Sequence, residues 1–278
     1  MILYVYAVTR EAVTPDAEAV DGSRRFGAVH AGAICAVFTP VDAEAFSQEV
    51  IDRRAGDLEW LGAIGYRHQE VVSALMKQTT LVPLRAFTLF SSEEALRTYL
   101  AENAEALEKT LQRLDGKQEW TLRIELEPSK WSDALTTRVA SLREMQNDIA
   151  TSAPGKAFLL RKKLDDEKKR ASRIAEEELV SEIERAVLTK LQCETIAETR
   201  ARREGAFPQI NVLLNRDEET VLQELLNELA SRYESDGVTL GVTGPWPPYT
   251  FAGATDNGQR TTDNQHRQPP TDNRQPAQ

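Results

Sequence analysis

At 278 residues, with 41% hydrophobic and 28% charged content, the chain has the composition of a soluble globular protein long enough for two ordinary domains. A formal net charge of -10 at pH 7 and a pI near 5.0 argue against phosphate-backbone binding, so no nucleic-acid partner is expected. No apolar run approaches the roughly 20 residues that span a bilayer, and the opening MILYVYAV lacks the basic region and cleavage site of a secretory signal; the expectation is a cytoplasmic protein with no membrane association.

The run ILYVYAV, residues 2–8, is β-branched and aromatic and reads as a buried central strand. FGAVHAGAICAVFTPV, 26–41, holds two apolar runs around HAG, where Gly32 can supply the positive φ of a hairpin turn. A helix capped by Asp42 follows, then a longer one in which Leu58, Leu61, Ile64, Val71, Val72, Leu75 and Met76 recur at helical spacing. TLVPLRAFTLF reads as a strand. Ser91 or Ser92 with Glu94 then marks the start of a helix reaching about Leu114, which Gly116 stops. QEWTLRIEL, 118–126, alternates Trp120, Leu122 and Ile124 against Thr121, Arg123 and Glu125, the period of a half-buried strand. Residues 1–127 are therefore expected to form an α+β domain, a mostly antiparallel sheet with helices on one side.

The second half, 128–251, changes character. From Phe158 to about Glu204 there is no Pro or Gly, both charge signs are dense, and Leu164, Ala171, Ile174, Leu179, Ile183, Val187, Leu188 and Leu191 form one narrow stripe. The pattern predicts one very long charged helix, its charged face solvated or, alternatively, in contact with a partner helix. FPQINVLLNRD reads as a strand, the following stretch as a helix capped by Asp217, and GVTLGVT as a last strand, a second α+β domain. Residues 252–278 contain no large apolar side chain and are expected to be a disordered polar tail.

Catalytic signatures are scarce. Cys35 and Cys193 have no short-range partner and read as buried hydrophobes, and His30, His68 and His266 are scattered, so no metal and no cofactor is expected. No phosphate-cradling loop, nucleophile elbow or metalloprotease motif is present. A helical imidazole, His68, a guanidinium inside an apolar strand, Arg85, and a carboxylate at a strand start, Glu119, could share one pocket. The plainer alternative pairs Arg85 with a carboxylate and satisfies His68 at a helix surface.

ILYVYAV, HQEVVSALMKQTTLVPLRAFTLF, GKQEWTLRIEL, PGKAFLLRKK and GVTLGVTGPWPPYTF, in this order over residues 2–251, resemble the gas vesicle proteins GvpF and GvpL. The most specific marks are Gly244, Pro245, Trp246, Pro247, Pro248, Tyr249 and Phe251 after the last strand, and Pro83, Leu84 and Arg85 after the helix bearing His68. LRAFTLF departs from the family's usual Phe-Gly-Thr run. The resemblance implies two α+β domains, the first a modified ferredoxin-like fold and the second carrying the long helix. It implies an accessory protein of gas vesicle assembly and not an enzyme, located at the gas vesicle, binding the hydrophobic shell protein GvpA and other accessory Gvp proteins, with no cofactor. A small-molecule-binding or catalytic protein using His68, Arg85 and Glu119 is the alternative. GPWPPYTF itself reads as a sheet terminator whose aromatics fold over the end of the second sheet, with a partner surface as the other reading.

Overall fold

The computed structural model describes residues 1–198 and 208–253. The predicted tail from residue 254 onward lies outside the described residues. Within them the fold is α+β, built on two antiparallel sheets.

In the first sheet β1 (Ile2–Thr9) is central, between β3 (Ile34–Val41) and β4 (Leu81–Pro83), with β2 (Gly27–Ala31) outside β3 and the short β5 (Leu89–Phe90) also on β1. The hairpin β2–β3 turns at Gly32, whose φ is 62°, as the sequence predicts. β1 is buried almost end to end because both of its faces are covered. Leu3, Val5 and Val8 pack under the leucines of α4 (Glu93–Glu102) and α5 (Ala104–Leu114); Tyr4, Tyr6 and Ala7 pack under α3 (Leu58–Met76). A register shift between Val5 and Ala7 puts the consecutive residues Tyr6 and Ala7 on the same face. Helices thus cover both faces, where the sequence reading placed them on one.

The caps locate the helix starts. Asp42 accepts from the Glu44 amide at α1 (Ala43–Phe46), but Ser47 opens a separate helix, α2 (Gln48–Arg53), by accepting from the Val50 amide. Ser92 caps α4 through the Ala95 amide; the single helix expected up to Leu114 is broken at Asn103 into α4 and α5. Gly116, at φ 70°, ends it.

The second sheet has the order β7 (Glu194–Glu198), β8 (Gln209–Asn215), β6 (Lys117–Leu126), β9 (Val238–Trp246). The strand assigned from sequence to residues 1–127 is therefore part of the second sheet. Its apolar face, Trp120, Leu122 and Ile124, packs with Ile210, Val212 and Leu214 beneath α8 (Pro154–Lys190) and α9 (Glu219–Tyr233). Two helices that the sequence reading left out, α6 (Pro128–Arg138) and α7 (Ala140–Thr151), complete this layer, α6 starting on Pro128 at its first turn. The long helix α8 is 37 residues, about 55 Å at 1.5 Å per residue. It ends at Lys190 rather than near Glu204, because the β-branched stretch that follows pairs with β8 as an edge strand. Cys193 consequently sits between helix and strand, half-buried, while Cys35 is fully buried beside Thr9. The α9 segment opens on a capping box between Asn215 and Glu218, two residues before the expected Asp217 cap.

Leu213 and Glu119 face each other across β8 and β6 on the side of the second sheet turned away from α8. Leu213 is packed in the same cluster as Leu107, Leu111 and Leu114 of α5, so the second sheet contributes to the core of the first half.

Candidate functional site

His68 lies on the core-facing stripe of α3, in line with Ile64, Val71, Val72 and Leu75, and is buried. Its Nδ1 is 3.1 Å from the Tyr4 hydroxyl; its Nε2 is 3.0 Å from the Leu84 carbonyl and 3.0 Å from the Tyr249 hydroxyl. A carbonyl can only accept, so the network places the ring proton on Nε2. The Tyr4 oxygen accepts from the Phe87 amide at 3.0 Å, which leaves its own proton for Nδ1. Both ring nitrogens are thereby used by the neutral imidazole. Burial outweighs the Leu84 hydrogen bond and pushes the His68 pKa down to about 4. Tyr6 stacks on the ring at 5.6 Å, and burial pushes its hydroxyl up to about 12; Tyr4 and Tyr249 are raised by burial as well.

Arg85 departs from its predicted place. The strand ends at Pro83, and Arg85 stands exposed in the connection to β5, where its carbonyl accepts from the Thr88 amide and hydroxyl. Phe87 in this turn adopts φ 66°, a left-handed conformation rare for a bulky residue. Its ring packs on Trp60 and Tyr4, and its amide binds Tyr4, which hold it there.

The C-terminal segment is built differently from the sequence reading. β9 continues through the cis peptide bond Gly244-Pro245, and Trp246 pairs with Glu119 after a register shift, so the sheet does not stop at Gly244. Gly244 has φ 144° and lies so close to Trp120 that a Cβ there would be 2.8 Å from the indole ring. Trp246 remains 42% exposed. Pro247 and Pro248 are buried, the chain turns through Tyr249 N–H to Pro247 O and Ala252 N–H to Pro248 O, and the segment from Tyr249 to Ala252 enters the first half. Tyr249 joins the α3-side core and Phe251 and Ala252 join the α4/α5-side core. These side chains therefore close the first sheet's cores, where a lid on the second sheet was expected, and Ala252 belongs to the core and not to the tail.

Between Tyr249 and Phe251, Thr250 donates its amide to one Glu119 oxygen at 3.0 Å and its hydroxyl to the other at 2.6 Å. The Glu119 side chain is buried, and these two bonds satisfy oxygens that would otherwise be costly to bury. His68 and Glu119 are thus brought onto adjacent residues of one segment, with the Arg85 turn beside Leu84. The grouping is a filled hydrogen-bond node that fastens the last described residues to α3 and β6. Among the described residues no group of His, Cys, Asp and Glu side chains is placed to hold a metal ion. Sequence reasoning named His68 and Glu119 but missed Tyr4 and Thr250. The available signal was a polar hydroxyl in a buried run, which must find a partner.

A sequence model of the family described as "Gas vesicle synthesis protein GvpL/GvpF" matches residues 2–253, including the whole segment just described. The chain belongs to the GvpL/GvpF family. Gas vesicle protein L of Streptomyces sp. (strain CB03234) is 28% identical over 271 residues, covering 93% of this chain and 96% of that one. Gas vesicle protein L of Haloferax mediterranei is 31% identical over 196 residues, 67% of this chain and 60% of that one. The crystal structure of GvpF from Anabaena sp. PCC7120 superposes with a TM-score of 0.70 at 14% identity, and that of GvpF from Microcystis aeruginosa with 0.63 at 14%; each covers 90% of this chain and 98% of the other. The solved GvpF structures share the fold. Membership in the GvpL/GvpF family gives the chain a role in gas vesicle synthesis, among other Gvp proteins. Among the described residues no helix is long and apolar enough to cross a membrane.

Proposed function

We propose that this GvpL/GvpF chain is a non-enzymatic accessory protein that binds the hydrophobic shell protein GvpA, and other Gvp proteins, in the cytoplasm and on the forming vesicle, nucleating or chaperoning its assembly. The observation that carries the reading is the family match over residues 2–253. A shell protein exposes apolar surface and strand edges before it assembles, and an acidic, dispersed partner can cover them. Of the two contacts the sequence offers, the long helix's stripe is mostly spent: Leu164, Leu179, Ile183 and Val187 lie in the second core, and Ile174 and Leu188, about four turns apart, are exposed but form no continuous surface. The contact is therefore assigned to Trp246, exposed at the end of the edge strand β9 and held rigid by the buried Pro247 and Pro248 behind it. Two α+β units meeting near Asp115 and Gly116 belong to the same proposal, since β6 starts just after them.

Binding of purified GvpA to the full chain tests it. Trp246→Ala, at a rigid aromatic anchor, is expected to weaken binding by about 2 kcal/mol, roughly 30-fold. Unchanged affinity in a variant with native circular dichroism would remove Trp246 from the interface, and absence of any GvpA binding by the wild-type chain would remove the proposal.

A further inference from the structure

The motif PGKAFLLRKK opens α8, and the second core uses little of it. At this end Ala157 is buried, but the next two residues, Phe158 and Leu159, are 67% and 68% exposed. They lie at the tip of the hairpin formed by α7 and α8, just past the turn at Ser152 and Ala153. α7 buries only Leu142, so nothing else covers the tip among the described residues.

Cations surround this apolar pair. Arg161 and Lys162 lie three and four residues beyond Phe158, Lys162 and Lys163 three and four beyond Leu159, and Lys156 precedes them; all four are exposed. None of the four is in an ion pair among the described residues. From 156 to 173 there are eight Lys and Arg against Asp165, Asp166 and Glu167, a net charge of +5 within a chain of net charge -10. The tip is thus a local basic and apolar surface on an acidic molecule. Such a sign reversal gives steering and choice of partner rather than stability.

The chain's own remaining segments do not fit it. Residues 254–278 contain no large apolar side chain to cover Phe158 and Leu159, and 199–207 carry Arg200, Arg202 and Arg203, of the same sign as the patch. A lipid surface fits poorly too. The outward face has two apolar residues, short of the continuous stripe an interfacial helix needs, and Asp165, Asp166 and Glu167 follow within two turns. A nucleic acid would leave the apolar pair without a partner.

We infer that the α7–α8 tip is a docking site for an acidic amphipathic helix of another protein. Its apolar face would cover Phe158 and Leu159, and its carboxylates, one turn along, would meet Arg161, Lys162 and Lys163. This surface is separate from Trp246, and its occupant differs in chemistry from an uncharged apolar wall.

Fluorescence anisotropy of the full chain with a labelled 20-residue helical peptide carrying leucines on one face and glutamates beside them tests it, against the same peptide with lysines for glutamates. The glutamate peptide binds and the lysine peptide does not. The variant Phe158→Ser with Leu159→Ser weakens binding at least tenfold, and Arg161→Glu with Lys162→Glu and Lys163→Glu abolishes it. Because these side chains are exposed, the melting temperature stays within a few degrees. Trp246→Ala leaves peptide affinity unchanged. Equal binding of both peptides, or full affinity after either set of substitutions, overturns the proposal. So does binding to phosphatidylserine vesicles without binding to the peptide, or a concentration-dependent dimer lost on Phe158→Ser, which would name a membrane or a second copy as the occupant.

Discussion

The Tyr249 hydroxyl lies 3.0 Å from Nε2 of His68, 181 positions away in the chain, and this contact joins the last described turn to the helix covering the first sheet. Around it, Leu84 and Tyr4 complete the ring's hydrogen bonds, and Thr250 fastens the next residue to Glu119 on the second sheet. The segment GPWPPYTF therefore acts first as a clamp between the two halves of the sequence.

The clamp has a pH signature. The folded pKa of His68 is about 4, below the ordinary 6.5. Above pH 6.5 the ring is neutral in both states and contributes no slope. As pH falls from 6.5 toward 4, the unfolded chain takes up a proton that the folded chain excludes, so stability falls, reaching a penalty of roughly 3 kcal/mol once pH is below 4. Between pH 7 and 5 about 2 kcal/mol of the loss belongs to this residue. Urea unfolding at pH 7, 6 and 5 is expected to give a flatter profile for His68→Gln than for the wild type. Parallel profiles would show that His68 is not the buried neutral ring described above.

The two tyrosines on the ring are unequal. Tyr4→Phe removes both the donor to Nδ1 and the acceptor of the Phe87 amide, which leaves one buried and one half-buried polar group unpaired. Each such group costs about 1 to 3 kcal/mol. In Tyr249→Phe the Nε2 proton keeps the Leu84 carbonyl, so the loss is about 1 kcal/mol or less. Denaturant midpoints should rank wild type, Tyr249→Phe and Tyr4→Phe in falling order; interchange of the two variants would contradict the assigned tautomer.

Phe251 and Trp246 stand five residues apart and should differ in the opposite sense from a reading by size. Phe251 is buried in the core beneath α4 and α5, so Phe251→Ala is expected to cost about 3 to 5 kcal/mol. Trp246 is 42% exposed, with its indole N–H 3.3 Å from the Thr243 hydroxyl, and its truncation should cost about 1 kcal/mol or less. Hydrogen exchange adds a location: Phe251→Ala should speed exchange in α4 and α5, far away in sequence. Faster exchange confined to β9 would mean that Phe251 closes the second core after all.

Local signals carried the sequence reading where the structure agrees with it. Gly32 in the hairpin, the Ser92 cap, the Gly116 stop and the alternation of Trp120, Leu122 and Ile124 each depend on a few neighbouring residues. The larger departures lie in pairings between distant segments. The alternation in β6 shows one buried face but not which strands flank it, and its partners β8 and β9 lie some 90 and 120 residues on. Glu194–Glu198 carries no Gly or Pro to mark the end of α8, and only its ladder with β8 makes it a strand. At the node the chemical types of His68 and Glu119 drew attention, but their meeting depends on where Tyr249 and Thr250 are delivered by the end of β9. Arg85 was misplaced because Phe87 looks like a strand residue while its backbone is left-handed.

That delivery depends on Gly244. Its φ of 144° is disfavoured for any residue with a side chain, and a Cβ would lie 2.8 and 3.0 Å from two Trp120 ring atoms and 3.1 Å from the Glu119 carbonyl. The indole is buried in the second core and cannot swing aside, so the end of β9 would have to move instead. Gly32, in the β2–β3 turn, has φ 62° but nothing within 4 Å of its would-be Cβ. Alanine there meets only the backbone preference, about 1 to 2 kcal/mol. Gly244→Ala should therefore destabilise more than Gly32→Ala, by at least about 1 kcal/mol, since a steric term is added to the conformational one. It should also release Thr250 from Glu119, seen as faster exchange of the Thr250 amide, while Gly32→Ala leaves that amide protected. Equal costs for the two alanines, with Thr250 equally protected in both, would mean that the close fit of Gly244 against Trp120 does not position the clamp.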